Sequence, residues 1–154
     1  EMTQLVLPSH TNNLGTAFGG QIAAWVDICA AVSAQRFCRN PVVTASMDAL
    51  HFLQPVHKGM VVILRGMVNF AWNSSMEIGV RVETEHPLTG KRTHCCTSYL
   101  TFVSINSEGS PIAVPKLDFS GNEEWQRRAY EANIRRDLRL KMREIRKEGG
   151  VFGS

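Results

Sequence analysis

The run Gly20-Gln21-Ile22-Ala23-Ala24-Trp25-Val26-Asp27-Ile28-Cys29-Ala30-Ala31-Val32-Ser33-Ala34-Gln35-Arg36-Phe37-Cys38-Arg39 decides how the chain is read. Its apolar residues (Ile22, Trp25, Val26, Ile28, Cys29, Val32, Phe37) recur at nearly every helical position with alanines between them, which predicts a long helix buried on most sides. A membrane span of this length would tolerate few polar groups. Gln21, Asp27, Ser33, Gln35 and Arg36 interrupt the run, so a core helix fits better. Asn40-Pro41 stops it, because a residue before proline is pushed out of the helical region.

Working outward, Met2 to Leu7 reads as a short strand ended by Pro8, and Ser9 to Gly15 as a loop. After the helix, Val42 to Leu53, Met60 to Phe70, Met76 to Glu85 and Thr93 to Ile105 are rich in Val, Ile, Thr and aromatics. Turn signals separate them at Pro55 to Gly59, Asn73-Ser74 and His86 to Gly90. In the third segment Met76, Ile78, Val80 and Val82 alternate with Glu77, Gly79, Arg81 and Glu83, predicting one buried and one wet face. Connections this short join antiparallel strands, so the class is α+β, with an antiparallel sheet wrapped around one long helix. Such a sheet leaves open edges, which pairing between two copies would cover.

Ser107 to Ser120 is an irregular linker, so the chain divides into a domain over residues 1–120 and a tail over 121–154. Asn122 opens a second helix with Glu123 and Glu124 in its first turn, running to about Lys147 before Gly149-Gly150. Its apolar residues (Trp125, Tyr130, Ile134, Leu138, Leu140, Met142, Ile145) are sparse, predicting one narrow packed stripe with the arginines wet. The formal charge of +3 lies wholly in this tail. That suits an acidic small ligand, and neither nucleic acid nor a membrane is expected as partner. With 44% hydrophobic and 20% charged residues the chain is an ordinary globular one. Its four cysteines (Cys29, Cys38, Cys95, Cys96) have no disulfide or zinc spacing and read as free thiols of a reducing cytoplasm. The residues present contain no signal-peptide pattern.

Between Thr11 and Gln35 there is one carboxylate, Asp27, and no basic side chain. Its helical neighbours Ala23, Ala24, Ala30 and Ala31 are small, leaving a gap for a ligand or a second chain. It is a candidate acid/base residue, or else a structural aspartate bonded to a neighbouring strand. Gly19-Gly20 stands where the first helical N–H groups have no internal partner, and the absence of Cβ atoms would let a carbonyl oxygen approach them. A tight loop-to-helix junction is the plainer reading. Asp27 lies seven residues past Gly20, about 10 Å along the axis, so both features meet one carbonyl only if two subunits share the site. The histidines show no metal-ligand spacing, and neither a G-x-S-x-G elbow nor a phosphate loop is present.

The run His10 to Asp27 (HTNNLGTAFGGQIAAWVD), followed by Val43-Thr44-Ala45-Ser46-Met47-Asp48 and Asn73-Ser74-Ser75-Met76-Glu77, resembles the hotdog-fold acyl-CoA thioesterases. It is most similar to the cytosolic acyl-CoA hydrolases with tandem hotdog domains and their single-domain bacterial relatives, over about residues 2–105. The resemblance implies a central helix wrapped by an antiparallel sheet, dimers with a continuous sheet and often a trimer of dimers. It also implies catalysis by Asp27, a thioester oxygen held at Gly19 and Gly20, and coenzyme A contacts around Ala45, Ser46 and Met47 and around Ser74, Ser75 and Met76. Some members carry a catalytic asparagine where this chain has Thr16. No cofactor beyond the coenzyme A of the substrate is implied.

The expected reaction is hydrolysis of an acyl-CoA thioester, with the helix start polarising the carbonyl and Asp27 either activating water or attacking directly. Asn12 and Thr44 are candidates for orienting the water or the carboxylate, and Arg127 and Arg128 for holding the CoA phosphates. The main rival is a non-catalytic CoA- or acyl-binding module. A hotdog dehydratase is disfavoured because no histidine lies on the central helix.

Overall fold

The computed structural model describes residues 1–149. The elements are β1 (Met2–Leu5), a 3-10 turn (Pro8–His10), α1 (Gly19–Cys38), β2 (Val42–Met47), β3 (Val61–Ala71), β4 (Ser75–Glu85), β5 (Arg92–Ser104) and α2 (Glu123–Glu148). The five strands form one antiparallel sheet in the order β1-β3-β4-β5-β2, which curls around α1. This is the expected hotdog arrangement. The inward residues of β4 (Met76, Ile78, Val80, Val82) are fully buried. They face the same core as Ile22, Trp25, Val26, Cys29, Ala30 and Ala34 of α1. Each large apolar side chain buried this way contributes about 1.5–3 kcal/mol.

At its far end α1 closes with Arg39 in the left-handed conformation (φ 57), whose N–H donates to the Gln35 carbonyl at 2.8 Å. Pro41 then forbids continuation.

Four sequence expectations need correction. β2 ends at Met47 rather than continuing to Leu53. Ala45 is an extra residue in the ladder, since Thr44 pairs with Phe102 and Ser46 with Thr101. Beyond Met47 the chain runs on irregularly beside β5, tied to it by the Asp48 N–H to the Tyr99 carbonyl and the Leu53 N–H to the Cys95 carbonyl, and His51 is not on a strand. The outer face of β4 is not uniformly wet either. A bulge at Asn69 of β3 sets its amide against Glu77, with Nδ2 donating to Oε1 at 3.0 Å, and Glu77 is fully buried. A Cβ at Gly79 would touch both Asn69 and Tyr99, so these side chains lean over that strand from either side.

Third, α1 is not buried on most sides of the single chain. The sheet wraps one side only, leaving Ala24, Ile28 and Val32 open, Ile28 at 53% exposure. Fourth, the apolar residues expected to form a packed stripe on α2 are exposed, and the buried positions there are Ala129 and Ala132. The chain separates into two compact units within the expected linker, the first Glu1–Lys116 and the second from Leu117 onward. In the second unit the Asn122 side chain caps α2 by accepting the Trp125 N–H at 3.0 Å. The helix then runs to Glu148, and Gly150 lies outside the described residues.

α1 packs tightly on β3 at Gly66, where a Cβ would run into Ser33 Oγ and lie 3.3 Å from the Cys29 carbonyl oxygen. Gly66→Ala should therefore destabilise the fold by about 1–3 kcal/mol, as overpacking does. Thermal unfolding of Gly66→Ala and of Gly66→Ala/Ser33→Ala checks this, the double variant recovering part of the loss.

Candidate active site

Asp27 is half-buried on α1, and its Oδ1 accepts the Thr44 hydroxyl at 2.8 Å. Among the described residues Thr44 is the hydrogen-bond partner of this carboxylate. The alternation of β2 turns Thr44 toward the helix, opposite the fully buried Phe102 on β5. Of the four alanines around Asp27, Ala30 is buried against the sheet, Ala23 and Ala31 are half-buried, and Ala24 is exposed. The gap read from the sequence therefore opens on the Ala24 side, away from the sheet.

The start of α1 is uncapped: Phe18 supplies no side-chain hydrogen bond. The earliest N–H groups of the helix thus lack internal acceptors and carry the positive end of its dipole. The two glycines differ. A Cβ at Gly19 would press on the Phe52 ring at 3.2 Å, whereas at Gly20 it would meet nothing within 4 Å. Both residues are exposed, but the space a side chain would take is clear at Gly20 alone.

Asn12 sits in a small hairpin leading into α1. Its N–H donates to the Thr16 carbonyl at 2.9 Å, and its Oδ1 accepts the Leu14 N–H at 2.9 Å. Its Nδ2 donates to Thr16 Oγ1 at 2.9 Å. Gly15, at φ 75, permits the reversal.

The two segments expected at coenzyme A flank the end of β5, since Val103 pairs with Ser75 on one side and with Val43 on the other. Ala45 is exposed, and Ser46, Met47, Ser74 and Ser75 are half-buried. Met76 is fully buried in the core, backbone included and paired on both sides within the sheet, so the structure does not open it to a ligand as the resemblance implied. Arg127 and Arg128 stand in the second unit, each held by its own helix. Arg127 pairs with Glu131 at 2.6 Å and Arg128 with Glu124 at 2.7 Å. The Arg128 hydrogen bond holds the Glu124 carboxyl below its ordinary range.

Among the described residues no group of three or more His, Cys, Asp or Glu is placed to hold a metal ion, and no helix is long and apolar enough to cross a membrane. The four cysteines are free and buried. One contact of the site's approach was not read from the sequence. His10 stands edge-on to Trp25, with ring centroids 5.0 Å apart. The only available signal was its place in the motif that opens the helix.

A thioesterase superfamily model matches residues 14–91. The chain is 44% identical over 115 residues to the uncharacterized acyl-CoA thioester hydrolase YkhA of Bacillus subtilis, covering 75% of this chain and 67% of that one. It spans much less of the longer mammalian relatives it matches, 24% of mouse acyl-coenzyme A thioesterase 11 and 37% of the rat cytosolic acyl coenzyme A thioester hydrolase. Its fold superposes on the crystal structure of an apo-hexameric acyl-CoA thioesterase with a TM-score of 0.86 at 39% identity, covering 92% of this chain and 90% of that one. It superposes on the Staphylococcus aureus acyl-CoA hydrolase, solved with butyryl coenzyme A and coenzyme A, with a TM-score of 0.85 at 33% identity, covering 97% and 90%. That staphylococcal enzyme has also been solved with an asparagine, an aspartate or a threonine singly replaced by alanine, at positions fifteen and then seventeen residues apart. With about half its length matched by the family model and two thirds of a bacterial relative covered, the chain belongs to the thioesterase superfamily.

Proposed function

We propose that the chain hydrolyses acyl-CoA thioesters to the free acid and coenzyme A, at a site that two copies of the chain share. The observation that carries this reading is the Asp27 carboxylate, fixed by Thr44 at 2.8 Å on the helix face that the sheet leaves open. A bond to Oδ1 alone leaves Oδ2 for a water or for the thioester carbon. The two corresponding routes are general-base hydrolysis and direct attack to an anhydride that water then opens. In either route the negative charge developing on the thioester oxygen is stabilised by N–H groups at the start of α1.

The intervals in the staphylococcal variants support the same residues. In this chain Asn12, Asp27 and Thr44 stand fifteen and then seventeen residues apart, with matching residue types. On these intervals the asparagine falls at Asn12 rather than at Thr16, its hydrogen-bond partner. Asn12 is then a group for orienting water or the substrate oxygen.

Gly20 and Asp27 lie on one continuous helix, so about 10 Å of axis separates them. We assign them to opposite halves of a dimer interface formed on the open side of α1. A trimer of such dimers is the proposed assembly, in keeping with hexameric relatives. Coenzyme A lies along Ala45, Ser46 and Met47 and along Ser74 and Ser75, with Met76 buried behind them. No cofactor is needed. The free thiols support a cytoplasmic setting.

Asp27→Asn should leave the fold intact and lower turnover on the order of a hundredfold, as loss of a general base or nucleophile does. Near-normal turnover in the folded variant would favour a non-catalytic binding module. Thr44→Val removes a bond to a charged group worth about 1.5–3 kcal/mol, and should lower kcat roughly tenfold with a smaller change in KM.

Arg127 and Arg128 are proposed for the CoA phosphates. Their exposed pairs along the helix are worth only about 0.3–0.5 kcal/mol, little against a guanidinium–phosphate contact. Replacing both by Ala should raise KM for acyl-CoA, most at low salt, and leave a short thioester lacking the nucleotide unaffected. Equal effects on both substrates would assign α2 to assembly instead.

A further inference from the structure

The hairpin that carries Asn12 is fixed at two places. Its returning limb is tied to the segment before β3, with the Ala17 N–H donating to the Val56 carbonyl at 2.7 Å and the Lys58 N–H to the Gly15 carbonyl at 2.9 Å. The outgoing limb, which bears Asn12, is fixed at its base by His10. Thr11 bonds back to Pro8 inside the same turn and bridges Ala17, and beyond it the Asn12 N–H to the Thr16 carbonyl joins the two limbs, so His10 is what anchors the outgoing limb at its base.

His10 joins three parts of the structure. Its Nδ1 accepts the Leu7 N–H at 3.1 Å, the reach-back half of a capping box in which Glu or Gln is the usual residue. Its carbonyl accepts the N–H of Phe18, the residue that precedes α1, at 3.0 Å. Its ring stands at 86° to the indole of Trp25, which is buried on α1 two residues before Asp27. A nitrogen that accepts an N–H must keep its lone pair, so the proton of this neutral imidazole is on Nε2.

We propose that His10 is a positioning residue, which through Leu7, Phe18 and Trp25 sets the place of Asn12 and of the first N–H groups of α1 while touching no substrate itself. This rests on the reading of Asn12 and Gly20 as parts of a thioesterase site. His10 has no chemical step to perform. Its loss lets the hairpin and the helix start drift relative to Asp27, and geometry of that kind governs kcat more than ground-state binding.

Three variants separate the contacts. His10→Phe keeps a ring against Trp25 and removes the acceptor. His10→Gln restores an acceptor of the capping-box type. Leu7→Pro removes the donor together with the largely exposed leucine side chain, at a position whose φ of −85 and ψ of 161 proline can adopt. The measurements are kcat and KM for release of CoA from a short-chain acyl-CoA, the thermal midpoint, and hydrogen exchange of the amides over residues 10–18.

His10→Phe and Leu7→Pro should each lower kcat about tenfold with KM little changed and the thermal midpoint within a few degrees of wild type. Exchange of the Asn12 and Phe18 amides should speed up in both, and His10→Gln should recover most of the rate and the protection. Wild-type kcat in His10→Phe or in Leu7→Pro overturns the proposal. So does an equal loss in His10→Gln and His10→Phe, or a loss that appears only as a lower thermal midpoint. If His10→Phe does not fold, Leu7→Pro against His10→Gln decides the question by the same readings. A wild-type protein that releases no CoA from any acyl-CoA defeats the functional reading. Exchange alone then decides the positioning claim, which stands if residues 10–18 lose protection in His10→Phe and regain it in His10→Gln, and falls otherwise.

Discussion

A helix has an apolar side all along its length, and here a single curled sheet covers it from one direction only. That constraint governs the rest of the structure. The inward residues of β3, β4 and β5 make a continuous core with Ile22, Trp25, Val26, Cys29 and Ala30. The packing is close enough that β3 needs Gly66 where it passes Ser33. On the other side Ala24, Ile28 and Val32 stay open, and Asp27 sits at the border between the two environments. The Asp27 carboxyl group at this border is held by a hydrogen bond from Thr44 without being shut off from a reacting molecule.

Much of this was legible from the residues. Periodicity located α1 because its alanines and branched residues fill helical positions, and Asn40-Pro41 marked its end. Strict alternation located β4, and the turn residues between β3, β4 and β5 required antiparallel pairing. What escaped were features created by contacts distant in sequence. The bulge at Ala45 and the early end of β2 depend on how β2 meets β5. The burial of Glu77 depends on the bulge that brings Asn69 beside it, and alternation alone marks a glutamate as wet. The open stripe of α1 was hidden because Ile28 and Val32 look like any other core residues. A sequence pattern does not say whether a helix is covered by its own sheet or by a second copy.

The site was legible in a similar, divided way. Asp27 stood out because no other charge lies near it in sequence, and Gly19-Gly20 because two glycines at a helix start leave the backbone bare. Thr44 could be suspected but not placed until β2 was seen to turn its hydroxyl onto the carboxylate. The glycines became distinguishable only through their surroundings, since a side chain at Gly19 would meet Phe52 and one at Gly20 would meet nothing. His10 carried no sequence signal beyond its motif, since its role depends on where Leu7, Phe18 and Trp25 come together.

The central claim is that the helix start of one chain and Asp27 of another form one site. Mixing Asp27→Asn chains with Gly20→Val chains tests it most directly, since a side chain at Gly20 projects into open space and should obstruct the oxyanion position without disturbing the fold. Random pairing makes about half of the dimers hybrid, each with one intact site of two, so about a quarter of wild-type turnover should return. Hybrid dimers that are shown to have formed and remain inactive would contradict the shared site.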